Sequence, residues 1–153
     1  MFKRDETVHV DASPEAVYDY ISDIGRHPEW AAQKLAMRPL GDGRFESVMW
    51  MGPLKAVSVI HVETAQRPRT FVYVADDNVS GPHRWRFDIS SESGGSSVKF
   101  TLERMHDALF MRLMQPVCMF PLIGHPGMIK GLSNIKRTVE GARSEPKVAP
   151  ASS

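Results

Sequence analysis

His83, Arg104 and His106 are the side chains whose types and placement best suit proton transfer, or the holding of a carbonyl or anionic group. His83 begins a run in which His83, Trp85, Phe87 and Ile89 alternate with Arg84, Arg86 and Asp88, and a strand puts those two sets on opposite faces. A second run sets Val98, Phe100 and Leu102 against Lys99, Thr101 and Glu103, which carries Arg104 onto the apolar face. A cation or an imidazole on a dry face needs a partner, and a ligand carboxylate, phenol or carbonyl would supply one. The alternative is structural: each residue stands at a strand end, half exposed or satisfied by backbone, since long charged side chains carry their heads to water. His106 and Asp107 adjoin Arg104, where a proton donor or acceptor for an aldol-type cyclisation or dehydration would sit; two polar residues after a strand also suit a solvated turn.

Apolar contacts for a ligand would come from the same faces. Trp85, Phe87 and Phe100 are candidates there, joined by Met114, Met128 and Leu132 from the last third of the chain. Trp50 is a further candidate on the face of Val48, although Phe45, Met49 and Met51 form a rival apolar face in that strand. The next strand is open in the same way, with Val57, Val59, His61 and Glu63 against Leu54, Ala56, Ile60 and Val62. His27 and His125 each precede a proline, a turn context that requires no catalytic role.

The segment 108–123 is mostly apolar but interrupted by Arg112, Gln115, Pro116 and Pro121, so it suits neither a strand nor a membrane helix. Five of the nine methionines fall between Met105 and Met128, and Met adapts to irregular apolar partners. Three readings stand: a lid over a cavity, a closure of the core, or a docking face for a partner or membrane surface.

These residues need elements to hold them. Val8 and Val10 alternate with His9 and Asp11 as an outer strand would; Ser13 then occupies an N-cap position, with Pro14 at the first helical position and Glu15 at the positive end of the helix dipole. Val17, Tyr20, Ile21 and Ile24 form one apolar stripe, ended by Gly25 and Pro28 before Trp30, which predicts two short helical pieces. Between Ala36 and Met105, turn clusters about every ten residues break strand-like alternation into six strands, making seven with the first. Their common dry face requires a covering layer, and the helix beginning near Gly127 offers Met128, Leu132, Ile135 and Val139 on one stripe.

Composition narrows the function classes. With 153 residues, one domain is expected, covering 1–142, followed by a Pro-, Ala-, Ser- and Lys-rich tail over 143–153 expected to be disordered. The 19 basic and 18 acidic residues leave a formal charge of +1, which points away from nucleic acid. Lys130, Lys136 and Arg137 lie with Glu140 on the polar side of the last helix, as a solvated face would. Cys118 is alone, which excludes an internal disulfide and gives no zinc pattern. Neither a signal-like start nor an apolar run of transmembrane length is present, so a cytoplasmic protein is expected. Without a phosphate loop, zinc motif, nucleophile elbow or dinucleotide fingerprint, a hydrolase or redox enzyme of the usual kinds is not expected, nor a metal or cofactor.

The segments Val10-Asp11-Ala12-Ser13-Pro14-Glu15-Ala16-Val17-Tyr18, Ile21-Ser22-Asp23, Pro28-Glu29-Trp30 and Leu132-Ser133-Asn134-Ile135-Lys136-Arg137 resemble the START-like helix-grip superfamily, the polyketide cyclase/dehydrase and lipid-transport group. The resemblance spans residues 3 to 142. It implies an α+β helix-grip fold: a seven-stranded curved antiparallel sheet wrapped on a long C-terminal helix, with two short helices after strand 1. It also implies a cavity for a lipid-like, aromatic or polyketide ligand. Fold does not fix function, so three roles follow as expectations. The first is binding or transport of a small hydrophobic ligand. The second is a cofactor-independent cyclase or dehydratase. The third is an interaction module that meets a protein partner, as in a toxin–antitoxin pair, or a second copy of itself.

Overall fold

A computed structural model describes residues 2–105 and 125–144, with Leu109 and Leu113 from the stretch between. His106, Met114 and the lid, core or interface readings of 108–123 therefore lie outside the described residues, as does 145–153. Seven strands, β1 (Lys3–Val10), β2 (Lys34–Gly41), β3 (Arg44–Met51), β4 (Leu54–Gln66), β5 (Thr70–Asp77), β6 (Gly81–Glu92) and β7 (Gly95–Arg104), form one antiparallel sheet. Its order is β1-β7-β6-β5-β4-β3-β2. The meander from β2 to β7 needs only tight turns, and β1 then pairs with the last strand, so Val8 faces Val98 across the ladder.

Helices α1 (Pro14–Ser22) and α2 (His27–Trp30), separated by a 3-10 turn at Ile24–Arg26, cover one end of the sheet, and α3 (His125–Ser144) lies along it. The N-cap forms as the sequence indicates: Ser13 is extended (φ −64, ψ 151) and its Oγ accepts from the Ala16 N–H at 3.2 Å. The stripe of α1 is buried at Val17, Tyr20 and Ile21, and α3 buries Met128, Leu132, Ile135 and Val139. The helix begins two residues before Gly127 and continues to Ser144.

Polar contacts fix the position of α3 against β1. Lys136 Nζ donates to the His9 carbonyl at 2.9 Å and to Glu140 Oε1, which also accepts from the Asp11 N–H. Asn134 Nδ2 donates to the Trp30 carbonyl at 3.0 Å, which ties α3 to α2. Thus part of the polar side of α3 holds the sheet edge and is not only a solvated face. The outer face of the sheet is wet and charge-balanced, with Arg84 bridging Glu63 and Glu103, and Lys99 meeting Asp5. Exposed pairs of this kind contribute little each, so the apolar inner face carries the fold.

Candidate functional site

The inner face of the central strands is an aromatic floor. Tyr73 and Trp85 are cross-strand partners with rings 5.8 Å apart and 9° from parallel, and Trp85 stacks on Phe100 at 5.3 Å and 20°. Phe87 continues the row against Phe100 at 4.6 Å, where Trp30 meets it edge-on. Tyr73–Trp85 and Phe87–Phe100 are directly opposed pairs, and Trp85–Phe100 is the diagonal between them, a distance aromatic side chains can still reach.

Above that floor lies a pocket of about 180 Å³. Its floor is Tyr73, Ala75, Trp85, Phe100 and Leu102; its side is Ala56, Ser58 and Ile60 of β4 with Ser47 and Met49 of β3; its roof is His27 and Trp30 with Gly127 and Met128 of α3. Asp77, Ser80 and His83 supply polarity at the β5–β6 turn. Asp77 Oδ1 accepts from the N–H groups of Val79 and Ser80, and Oδ2 accepts from Ser80 Oγ at 2.7 Å, so the turn is held by the carboxylate it presents.

His83 is buried, with Nδ1 2.9 Å from the Gly81 carbonyl and 3.6 Å from Asp77 Oδ2. A carbonyl only accepts, so Nδ1 carries the proton and Nε2 is the basic nitrogen. Burial lowers the pKa of His83; Asp77 opposes the shift and Arg104 adds to it. Burial likewise pushes the Tyr73 phenol far above its ordinary range.

The candidates separate on this geometry. His83, Trp85, Phe100 and Met128 line the pocket. Arg104 lies directly across from His83 in the β6–β7 ladder, buried on the same inner face but outside the pocket lining. Phe87 and Leu132 are core residues outside the pocket lining. Trp50 requires correction: β3 turns Phe45, Ser47 and Met49 inward, which leaves Trp50 on the other face with Lys34 Nζ 5.1 Å over its ring. The rival face thus wins because it pairs with inward Ala56, Ser58 and Ile60 of β4, which also puts His61 outside.

Sequence reasoning missed His27, Tyr73, Asp77 and Ser80. The His-Pro context hid His27, which is 1 % exposed between Trp30 and Tyr73. Residues 71–75 of β5 are buried on both faces, so alternation could not single out Tyr73. A carboxylate followed by Asn and, three residues on, Ser was the available signal for the Asp77 turn.

The model of the polyketide cyclase/dehydrase and lipid-transport family matches residues 1–140. The chain belongs to that family. Comparison with curated protein sequences gives no match. Among solved structures, protein CV1439 from Chromobacterium violaceum is similar with a TM-score of 0.72 at 14% identity, over 90% of this chain and 97% of that one. The di-domain ARO/CYC StfQ of the steffimycin biosynthetic pathway gives 0.66 at 12% identity, over 94% of this chain and 52% of its own. The Aha1 dimer from Colwellia psychrerythraea gives 0.64 at 14%, over 92% and 97%. At such identities the likeness is one of fold, which in this family is the helix grip seen here. No described helix is long and apolar enough to cross a membrane, and no described group of His, Cys, Asp and Glu side chains could hold a metal ion.

Proposed function

We propose that this family member binds a compact aromatic ligand in the pocket between sheet and α3. The observation that carries the reading is the floor of near-parallel rings, Tyr73, Trp85 and Phe100, beneath a mostly apolar lining. Such rings suit an aromatic ligand, since an offset-stacked or edge-to-face ring pair adds about 0.5–1.5 kcal/mol beyond burial. The volume supports the same size class: an apolar cavity of ~150 Å³ holds benzene, so about 180 Å³ suits one or two fused rings better than an extended acyl chain. Polar groups of the ligand would meet Asp77, Ser80 and His83 at the β5–β6 end. The test is a melting-temperature screen with bicyclic aromatics, quinones, flavonoids, sterols and fatty acids, with native mass spectrometry of the purified protein. Saturable stabilisation by the ring compounds is expected; a response to fatty acids alone would overturn the aromatic assignment.

A second reading, cofactor-independent cyclisation or dehydration, draws support from one arrangement. His83 Nε2 is the basic nitrogen of an imidazole oriented by Gly81 and Asp77, with the Arg104 cation across the ladder. Such a base would take a proton from the carbon next to a ligand carbonyl and return it to a departing hydroxide as water. His83→Ala and Arg104→Ala should then abolish turnover of a polyketide-like substrate while the pocket still binds aromatic ligands; undiminished turnover would remove both from the mechanism.

A further inference from the structure

The strand register puts a polar row into the wall of the pocket. Ser47 of β3 is directly opposed to Ser58 of β4, and Ser58 to Asp77 of β5. All three line the pocket: Ser47 shares a face with Met49, Ser58 with Ala56 and Ile60, and Asp77 with Tyr73 and Ala75. Ser47 and Ser58 are buried, 4% and 8% exposed. Neither Oγ has a hydrogen-bond partner among the described residues, and neither is sealed from a water-sized molecule. For side chains this buried, the space their hydroxyls reach is the pocket they line.

Asp77 gives the row a direction. Its Oδ1 accepts from the N–H groups of Val79 and Ser80 at 2.8 and 2.6 Å, and its Oδ2 accepts from Ser80 Oγ at 2.7 Å. A carboxylate offers about four acceptor positions, so one remains on Oδ2. His83 Nδ1 stands 3.6 Å from that oxygen, beyond hydrogen-bond reach, and directs its proton to the Gly81 carbonyl. Ser80 gives its own proton to the carboxylate, so at Asp77 and Ser80 the wall only accepts. Such a position is matched when an occupant brings a donor.

We infer that Ser47, Ser58 and Asp77 form the polar wall of this pocket and that Asp77 selects aryl ligands with a hydrogen-bond donor, a hydroxyl or an amino group, on the edge that meets it. The inference rests on the pocket being an aromatic ligand site and adds which edge of the ligand is polar and in which sense. The two serine hydroxyls can donate or accept, so a further substituent of either kind would be taken one or two strands away. Methylation of a ligand hydroxyl removes the only proton it can donate to Asp77.

The test uses 2-naphthol, 2-methoxynaphthalene and naphthalene as probes, with affinities measured by calorimetry. The wild-type protein should prefer 2-naphthol to its methyl ether by about tenfold or more, as one hydrogen bond to a charged acceptor gives. Asp77→Asn keeps an oxygen for the two backbone N–H groups but puts an NH₂ in place of Oδ2, and the preference should fall to about one. The Ser47→Ala/Ser58→Ala double variant should bind naphthalene several-fold more tightly, because an apolar ligand then leaves no hydroxyl dry. Independently of any variant's folding, the 13Cγ resonance of Asp77 in the wild type should move with 2-naphthol and hold its place with 2-methoxynaphthalene. A preference retained in folded Asp77→Asn, or a silent Asp77 resonance with bound naphthol, would overturn the selecting role of Asp77. Unchanged naphthalene affinity in the double variant would remove the serines from the wall. Failure of all three probes to bind the wild-type protein would overturn the aromatic pocket, and this inference with it.

Discussion

His83 and Arg104 are directly opposed in the β6–β7 ladder, an imidazole and a guanidinium on the same inner face, 8% and 2% exposed. Directly opposed residues are the closest side-chain neighbours a sheet provides. The cation therefore acts on the titration of the imidazole. Both burial and Arg104 disfavour the imidazolium, whereas Asp77, 3.6 Å from Nδ1, favours it.

Substitution of these neighbours should move His83 in opposite directions. Arg104→Met removes the positive charge at similar length and should raise the pKa of His83; Asp77→Asn should lower it further. Histidine NMR titration of the two variants gives both shifts. An unmoved His83 in folded Arg104→Met would mean that the guanidinium contributes nothing to its value.

The buried histidines also predict acid sensitivity. His27 titrates near 6.5 in the unfolded chain and at about 4 in the folded one, so the unfolded state alone takes up the proton between those values. Stability from keeping His27 neutral is present in full above pH 6.5 and is lost as pH falls toward 4. The shift corresponds to roughly 3 kcal/mol over that window. His83, also lowered, acts with the same sign. Denaturant unfolding at pH 7 and pH 4.5 should show a smaller drop in His27→Phe than in the wild type; equal drops would exclude His27 as a source.

Much of this was legible before the structure, and the reason differs by element. The Ser13 cap, the stripe of α3 and the alternation in β6 and β7 are local patterns whose period alone decides which side is buried. His83 and Arg104 were assigned to one face that way, but their direct opposition depends on the β6–β7 register, which the turn at Ser93 and Gly94 sets. In β3 and β4 both faces carried apolar residues, so the choice between Trp50 and Met49 rested on long-range pairing. His27 was illegible for another cause. Its environment is built from α2, β5 and the Ile21 carbonyl, which no spacing within the His-Pro turn encodes.

The facing of β3 predicts a contrast in ligand response. Trp50→Ala removes the larger side chain, yet it lies under Lys34 on the outer face and should leave ligand-induced stabilisation within error of wild type. Met49→Ala opens the wall, and Trp85→Ala removes the middle ring of the floor; both should weaken aromatic binding, Trp85→Ala by tenfold or more. Melting curves with and without 2-naphthol would separate the three, and equal loss in Trp50→Ala would place that ring at the site after all.

Two glycines should respond to alanine with opposite signs, because only one has room for a Cβ. Gly141 lies within α3, and a Cβ there would meet nothing within 4 Å. Gly141→Ala should therefore stabilise by about 0.5–1 kcal/mol, chiefly by reducing the freedom of the unfolded chain. Gly95 opens β7 where β1 passes closely, and a Cβ there would run into the Val10 carbonyl oxygen and the His9 ring. Backbone cannot yield as a flexible side chain can, and His9 is already held between Asp11 and Glu92. Gly95→Ala should cost about 1–3 kcal/mol, the range for overpacking a close-fitted site. Urea unfolding of both variants measures the signs, and a neutral Gly95→Ala would mean that the β1–β7 junction can open without loss.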